Sequence, residues 1–438
     1  MRNFKIAVVF IATFGLLSSC STEENIDLTD ESNLTVEDSR SLDEVTVIPA
    51  ADAISGEYII VFKEDSNERS FNNYQASERG RTQELSRIKE FYTQKSTRVL
   101  SENSIDTKNL STVYTGVFQG FYAKNLTESD IENLKSDNRI AFIEPNLALT
   151  ADFPIPATPE GVSEKDILDL AAAPNSRDVQ LPNGEFLPWG VQYVGRTNNA
   201  NTNRYGWVID SGIAPHPDLA IVTGLSRSFV NGEPSWQDAN GHGTHVAGTL
   251  GARNNGSGVI GVAYGTSLVA VKVLGASGSG STDGILSGVD YVYNSAIAGD
   301  VFNYSVGFRN RFTSNAIDNA FRRLDDRIYG ALAAGNSNDN TQFYSPQRIN
   351  TSRTWMVGSI DRSNKQPSSF SNFGSSVDRW APGRDVWSTW LNGGFNRISG
   401  TSMASPHVAG ILAGRGNNSV GTQGNVSKGG FSASRAKL

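Results

Sequence analysis

The sequence predicts an α/β protein: a doubly wound parallel sheet preceded by a small α+β domain. Two observations lead there. From Leu187 onward short apolar runs alternate with helical stretches, and strands spaced by helices close into a parallel sheet. Ahead of them, over 57–150, the patterns run strand, helix, strand, helix, strand, the order of a compact α+β unit. A length of 438 residues suits two or three such units, and 38% hydrophobic residues with 43 glycines suit a globular chain with many tight turns.

Residues 1–20 read as a lipoprotein-type secretory signal. Arg2 and Lys5 open it, Ile6 to Leu17 is apolar but too short to span a membrane, and Leu17-Ser18-Ser19-Cys20 closes it. Those last four residues resemble a bacterial lipobox, which marks Cys20 for lipidation. The expected location is therefore secreted or cell-envelope, as an outer-membrane or surface lipoprotein, with the membrane met only through that anchor. Cys20 is the only cysteine, so no intramolecular disulfide forms. Residues 21–56 are acidic and rich in Ser and Thr, as a flexible tether is. A net charge of -7 offers no basic footprint for nucleic acid.

In the 57–150 unit, Glu57 to Lys63 reads as a buried strand and Glu84 to Tyr92 has helical spacing. Val113 to Lys124 alternates as a strand interrupted by Gly116 and Gly120. Thr127-Glu128-Ser129-Asp130 is a capping box opening a helix through Leu134, and Ile140 to Pro145 is a further strand. Residues 151–186, with Pro154, Pro156, Pro159, Pro174 and Pro182, read as an exposed linker. Within it Ser163 to Asp166 caps a short helix through Leu170.

In the 187–438 unit, strands are expected at Gly206–Ile209, Ser267–Val273, Val301–Asn303, Gly330–Ala334 and Trp355–Gly358. Helices are expected at 242–252, 281–298, 313–325 and after Thr401. Behind the last helix a Gly/Ser-rich stretch runs to Leu438. Either that helix is short and capped by a compact loop, or the tail is partly disordered.

Three segments carry the chemistry: Val208 to Gly212, Gly241 to Gly248 and Ser399 to His407. In order they supply a carboxylate, an imidazole and a hydroxyl. A serine hydroxyl is a poor nucleophile until a base removes its proton, and a neutral histidine needs an acidic partner to hold its tautomer. Asp210 ends an apolar strand, where ligands of open α/β sheets bind; read alone it is also an ordinary turn aspartate. His242 opens a helical run between glycines and is the base, whereas His245 reads as packed and structural. Ser402 opens a helix, whose N-terminus favours developing negative charge; read alone it is an N-cap serine. Pro406 is tolerable because that helix has barely begun. Asn336, in Ala-Ala-Gly-Asn, can donate to an oxyanion, with the backbone N–H of Ser402 as the second donor.

Taken together, these segments resemble the subtilisin-like serine peptidases over about 187–410. Val271 to Gly280 and Phe370 to Gly374 are most similar to the proteinase K branch. Tyr58–Lys63, Phe118–Lys124 and Ile140–Pro145 resemble that family's inhibitory propeptide, which assists folding and blocks the cleft with its C-terminal tail. The resemblance implies a zymogen that cuts itself within 151–186, then hydrolyses protein or peptide substrates through an acyl-enzyme as a monomer. It assigns substrate strands to Gly278-Ser279-Gly280 and Ser305-Val306-Gly307. The pocket for the residue before the cut falls between Ser305–Gly307 and Ala333-Ala334-Gly335. Its small apolar walls imply broad cleavage after hydrophobic or aromatic residues. Phe308 stands where the family usually has glycine and Tyr304 where methionine is common, and both narrow the cleft. The same branch implies a structural calcium ion at Asp378 with nearby main-chain carbonyls. Two other classes compete. A binding module that keeps its propeptide would not need Asp210, His242, Ser402 and Asn336 together. An esterase or glycosidase would need a Gly-x-Ser-x-Gly elbow or paired carboxylates that the chain lacks.

Overall fold

A computed structural model describes residues 52–64, 82–153, 161–171, 178–200 and 202–438. The signal and Cys20 readings, and nearly all of the tether, lie outside these residues.

The first domain comprises β1 (Ala53–Phe62), α1 (Thr82–Glu102), β2 (Leu110–Tyr114), β3 (Gly120–Ala123), α2 (Glu128–Lys135) and β4 (Ile140–Thr150). Its strands pair antiparallel in the order β4-β1-β3-β2. The capping box forms as expected: Asp130 N–H donates to Thr127 Oγ1 at 3.2 Å, and Thr127 N–H to Asp130 Oδ2 at 2.8 Å. The stretch read as one strand over Val113–Lys124 is instead the hairpin β2–β3. Its break at 115–119 is set by a contact outside the domain, described below.

Side chains alternate across a strand, and this sheet uses both faces. Ile60, Phe62, Phe121 and Ile143 pack on Val99, Leu100, Ile131 and Leu134 of its own helices. Ile59, Val61, Tyr122 and Leu147 face the other way and join a core cluster with Ile285, Val289 and Ile317 of the second domain.

The second domain is built on a ten-stranded sheet. Its central strands are β5 (Tyr205–Asp210), β6 (Ser267–Lys272), β8 (Val301–Tyr304), β9 (Tyr329–Ala333), β10 (Thr354–Ile360) and β11 (Arg379–Pro382); β7 (Ser279–Ser281) lies apart, against β4. The central order is β6-β5-β8-β9-β10-β11, all parallel. Such strands are covered on both sides and read as near-continuous apolar runs. Helices α4 (His242–Gly251) and α7 (Thr401–Arg415) cover one face together with Val208, Leu268 and Ala331. Helices α5 (Thr282–Ser295) and α6 (Asn315–Asp325) cover the other with Trp207, Ile209 and Phe302. Ser281 and Ser314 trim the expected starts of α5 and α6: each is an N-cap whose hydroxyl accepts a backbone N–H, from Gly284 and Ile317 respectively.

Two expectations need correction. The tail is neither a bare loop nor disordered. Helix α7 runs to Arg415 and stops at Gly416, whose φ is +64°. Strands β12 (Gly421–Lys428) and β13 (Phe431–Lys437) then form a hairpin, and β13 pairs parallel to β11. Its Gly/Ser-rich composition hides a strand signal carried mainly by Val426 and Ala436, both buried. Nor are the described parts of 151–186 an exposed linker. Val162 exchanges backbone hydrogen bonds with Phe395 at 2.7 and 2.9 Å, and α3 (Glu164–Ala171), capped by Ser163 and Asp166, buries Ile167.

Candidate active site

Asp210 ends β5, fully buried, at the carboxyl edge of the sheet. Helix α4 begins against the turn that follows. A Cβ on Gly243 would stand 2.1 Å from Gly212 O and 3.2 Å from the Asp210 carboxylate, so only glycine lets the helix approach this closely. The approach brings His242, first residue of α4, to Asp210: Nδ1–H donates to Oδ1 at 2.8 Å. Ser211 N–H donates to the same oxygen at 2.7 Å. His242 Nε2 is buried and has no hydrogen-bond partner among the described residues.

A residue the sequence reading missed holds this turn. Buried Asp238 accepts N–H bonds from Asn240, Gly241 and Thr244 and hydroxyl bonds from Ser211 and Thr244. Burial pushes its pKa up while those donors pull it back. Asp-Ala-Asn-Gly just ahead of His242 was the available signal, being turn chemistry. His245 is structural, as read: its Nε2–H donates to Val386 O at 2.9 Å, and burial lowers its pKa to about 3.

Ser402 sits in the first turn of α7. Pro406 has no N–H to return to the carbonyl four residues back, so the Ser402 carbonyl needs another donor. Ser305 Oγ supplies it at 2.9 Å, and Ser402 Oγ donates in turn to Ser305 O at 3.0 Å. Asn303 donates to Ser305 Oγ and accepts from Ser405 Oγ, which extends the tie from α7 to β8. Asn336 is oriented by Thr401, whose N–H and Oγ1 donate to its Oδ1 at 2.8 and 2.9 Å. That leaves Nδ2 for the cleft.

The cleft is filled by the end of the first domain. Residues 148–150 of β4 pair antiparallel with β7, as Ala148↔Ser281, Leu149↔Gly280 and Thr150↔Ser279. Ala151 N–H then donates to Gly278 O at 3.0 Å, and Asp152 N–H to Gly307 O at 2.8 Å. The tail is thus a strand inserted between the two segments expected to hold substrate. Asn336 Nδ2 donates to Asp152 O at 3.4 Å, and the Phe153 ring stacks on His242 with centroids 3.9 Å apart. Gln347 Nε2 ties Val306 O to Ala333 O at 2.9 and 3.2 Å, joining the two walls of the expected pocket. Phe308, buried, pairs with Ala151 and sets its ring edge-on to Phe312. Tyr304 packs on Phe321, its buried hydroxyl without a partner among the described residues and its pKa raised chiefly by burial, then by Asp210.

Away from the tail, two carboxylates clamp the domains reciprocally. Glu144 of β4 accepts from Ser314 Oγ at 2.6 Å and Asn315 N–H at 2.7 Å, capping α6. Asp290 of α5 accepts from the N–H groups of Thr115, Gly116 and Val117 at 3.2, 2.7 and 3.0 Å, which is what breaks the β2–β3 stretch.

At Asp378, where a calcium ion is expected, two oxygens already accept protein donors. One carboxylate oxygen accepts the Met356 N–H at 2.8 Å, and the Arg379 guanidinium donates to the Asp378 carbonyl at 2.8 Å. Calcium takes six to eight oxygens, so a site here draws on other main-chain carbonyls besides Asp378. Among the described residues no group of three or more His, Cys, Asp or Glu side chains is arranged to hold a metal ion.

Comparison with known proteins agrees with this geometry. Residues 207–415 match the model of the subtilase family, and residues 57–152 that of the peptidase inhibitor I9 family. The chain is 36% identical over 310 residues to an alkaline protease of Alkalihalobacillus alcalophilus, covering 67% of this chain and 79% of that protein. It is 42% identical over 235 residues to subtilisin Savinase of Lederbergia lenta, covering 52% and 84%. It is 37% identical over 306 residues to alkaline serine exoprotease A of Vibrio alginolyticus, covering 69% of this chain but 53% of that longer protein. With its α/β sheet, its inhibitor-type first domain and these relatives, the chain belongs to the subtilase family of serine endopeptidases.

Proposed function

We propose that the chain is a secreted, self-processed zymogen that hydrolyses peptide bonds through an acyl-enzyme on Ser402, and that its first substrate is its own Asp152–Phe153 bond. One observation carries this reading: the Asp152 carbonyl faces Asn336 Nδ2 from a strand hydrogen-bonded on both sides. On this reading 57–152 is the inhibitory domain, the mature enzyme starts at Phe153, and the signal and lipid anchor read at 1–20 direct export.

Ser402 Oγ leaves Ser305 O, gives its proton to His242 Nε2, and attacks the carbonyl carbon of Asp152. Asn336 Nδ2 and the Ser402 N–H receive the oxyanion. Asp210 keeps the proton on Nδ1 and stabilises the imidazolium. The C–N bond then breaks, His242 returns the proton to the Phe153 amine, and water repeats the sequence on the acyl-enzyme. Afterwards 57–152 stays as a product-like inhibitor until it is lost. The apolar pocket walls at Val306, Ala333 and Ala334 support cleavage after many apolar residues.

Intact-mass analysis of residues 21–438 beside the Ser402→Ala variant tests this. The parent is expected to split between Asp152 and Phe153 and the variant to stay whole. Two folded, uncut proteins would favour the binding-module reading; identical cutting of both would assign maturation to another protease.

A further inference from the structure

We infer that Arg309 is a specificity-determining residue, which recruits an acidic side chain immediately before the scissile bond. The inference rests on the proposed cleavage register, which makes Asp152 that residue. Asp152 is held by Gly307 O on its N–H and Asn336 on its carbonyl, and its side chain stays 26% exposed. Arg309 Nε meets Asp152 Oδ1 at 3.1 Å. Among the described residues no other cation lies within ion-pair distance of Asp152. The neighbouring Arg311 is engaged by both carboxylate oxygens of Asp339, at 2.7 and 3.0 Å.

The walls explain why a cation matters. Val306, Ala333 and Ala334 are almost wholly buried, and a carboxylate pressed against them without a partner would lose hydration for nothing. Arg309 removes that penalty from the rim, its side chain 71% exposed, so the charge itself stays in water. Phe308 fixes where the arginine projects. Buried, paired with Ala151 and packed on Phe312, it anchors the backbone one residue before Arg309. The pocket thereby combines apolar walls, which accept uncharged side chains, with a cationic lip suited to Asp or Glu.

The test uses the self-processed enzyme and two peptides that differ only in Asp or Asn before the cut, a pair of nearly equal size of which one is anionic and the other neutral. The expected Asp/Asn ratio of kcat/KM is about three to five, the range an exposed ion pair sustains. It should fall toward about one near 1 M salt, where screening is nearly complete. Arg309→Gln should bring the ratio to about one at low salt, and Arg309→Glu should invert it. An unchanged ratio in both variants overturns the inference, as does refusal of the Asp peptide while the Asn peptide is cut. If neither peptide is cut, the protease reading falls and takes this assignment with it.

Discussion

The two domains are completed in opposite ways. The catalytic sheet is covered on both faces by its own helices α4 and α7 on one side and α5 and α6 on the other. The inhibitory sheet has its own helices on one face only, and Ile59, Val61, Tyr122 and Leu147 are buried by the catalytic domain. The buried polar groups divide likewise. Within the catalytic domain Asp210, Asp238, Asn303 and Asn336 bond His242, Gly241, Ser305 and Thr401 of that same domain, whereas at the junction Glu144 and Asp290 each satisfy backbone of the other domain. One domain is self-sufficient and spends its polar groups on geometry; the other is finished by its partner and spends them on attachment.

The largest test of that division is Asn336→Ala. It should lower kcat by about 10²–10³, the loss known for the corresponding donor in subtilisin itself, while thermal unfolding stays near the parent's. A comparable fall in melting temperature would show that this polar group is structural after all.

Acid should move the two domains in opposite directions. His407, buried and bonded through Nδ1–H to Met403 O, has a pKa lowered by burial to about 4. Its unfolded value is higher, so the unfolded chain takes up a proton as pH falls below about 6.5, and stability is lost from there toward pH 4. The full window amounts to about 3 kcal/mol. Urea melts of His407→Gln should decline less steeply over that range. Glu144 and Asp290 have pKa values raised by burial, so the docked state holds their protons more tightly. Docking is then strongest at acid pH and weakens as pH rises above the ordinary carboxylate range. An inhibition constant that fails to rise with pH would remove them as the controlling groups.

Asp290→Ala strands three backbone donors at the junction. Inhibition by the propeptide should weaken about tenfold to a hundredfold, given about 1–3 kcal/mol for a buried polar group left unpaired. The specific activity of fully processed enzyme is the control that separates attachment from catalysis. Smallest is Tyr304→Phe, which deletes a buried hydroxyl without a partner among the described residues. Unfolding free energy should be unchanged or rise by up to about 1 kcal/mol, and a fall would reveal a bond the hydroxyl makes in solution.

Much of this was legible in the chain. The alternation of strands and helices, the capping box at Thr127 and the three short segments around Asp210, His242 and Ser402 are local patterns, and local patterns survive in a one-dimensional reading. What escaped depends on distant partners. The break between β2 and β3 is made by Asp290, far along the chain. The hairpin after Gly416 is held by pairing with β11, which a Gly/Ser-rich composition does not announce. The bond from Arg379 to the Asp378 carbonyl is likewise invisible in a single aspartate. The position of Asp152 and Phe153 in the cleft follows from backbone pairing with Gly278 and Gly307, to which side-chain identity is almost irrelevant.

Pro406 has a mechanical consequence. Because it withholds a donor, the Ser402 carbonyl is tied to Ser305, and Asn303 completes the link from α7 to β8. Strand β8 is the immediate neighbour of β5, which ends in Asp210. The helix that carries Ser402 and the strand that ends in Asp210 are therefore joined through their shared neighbour β8.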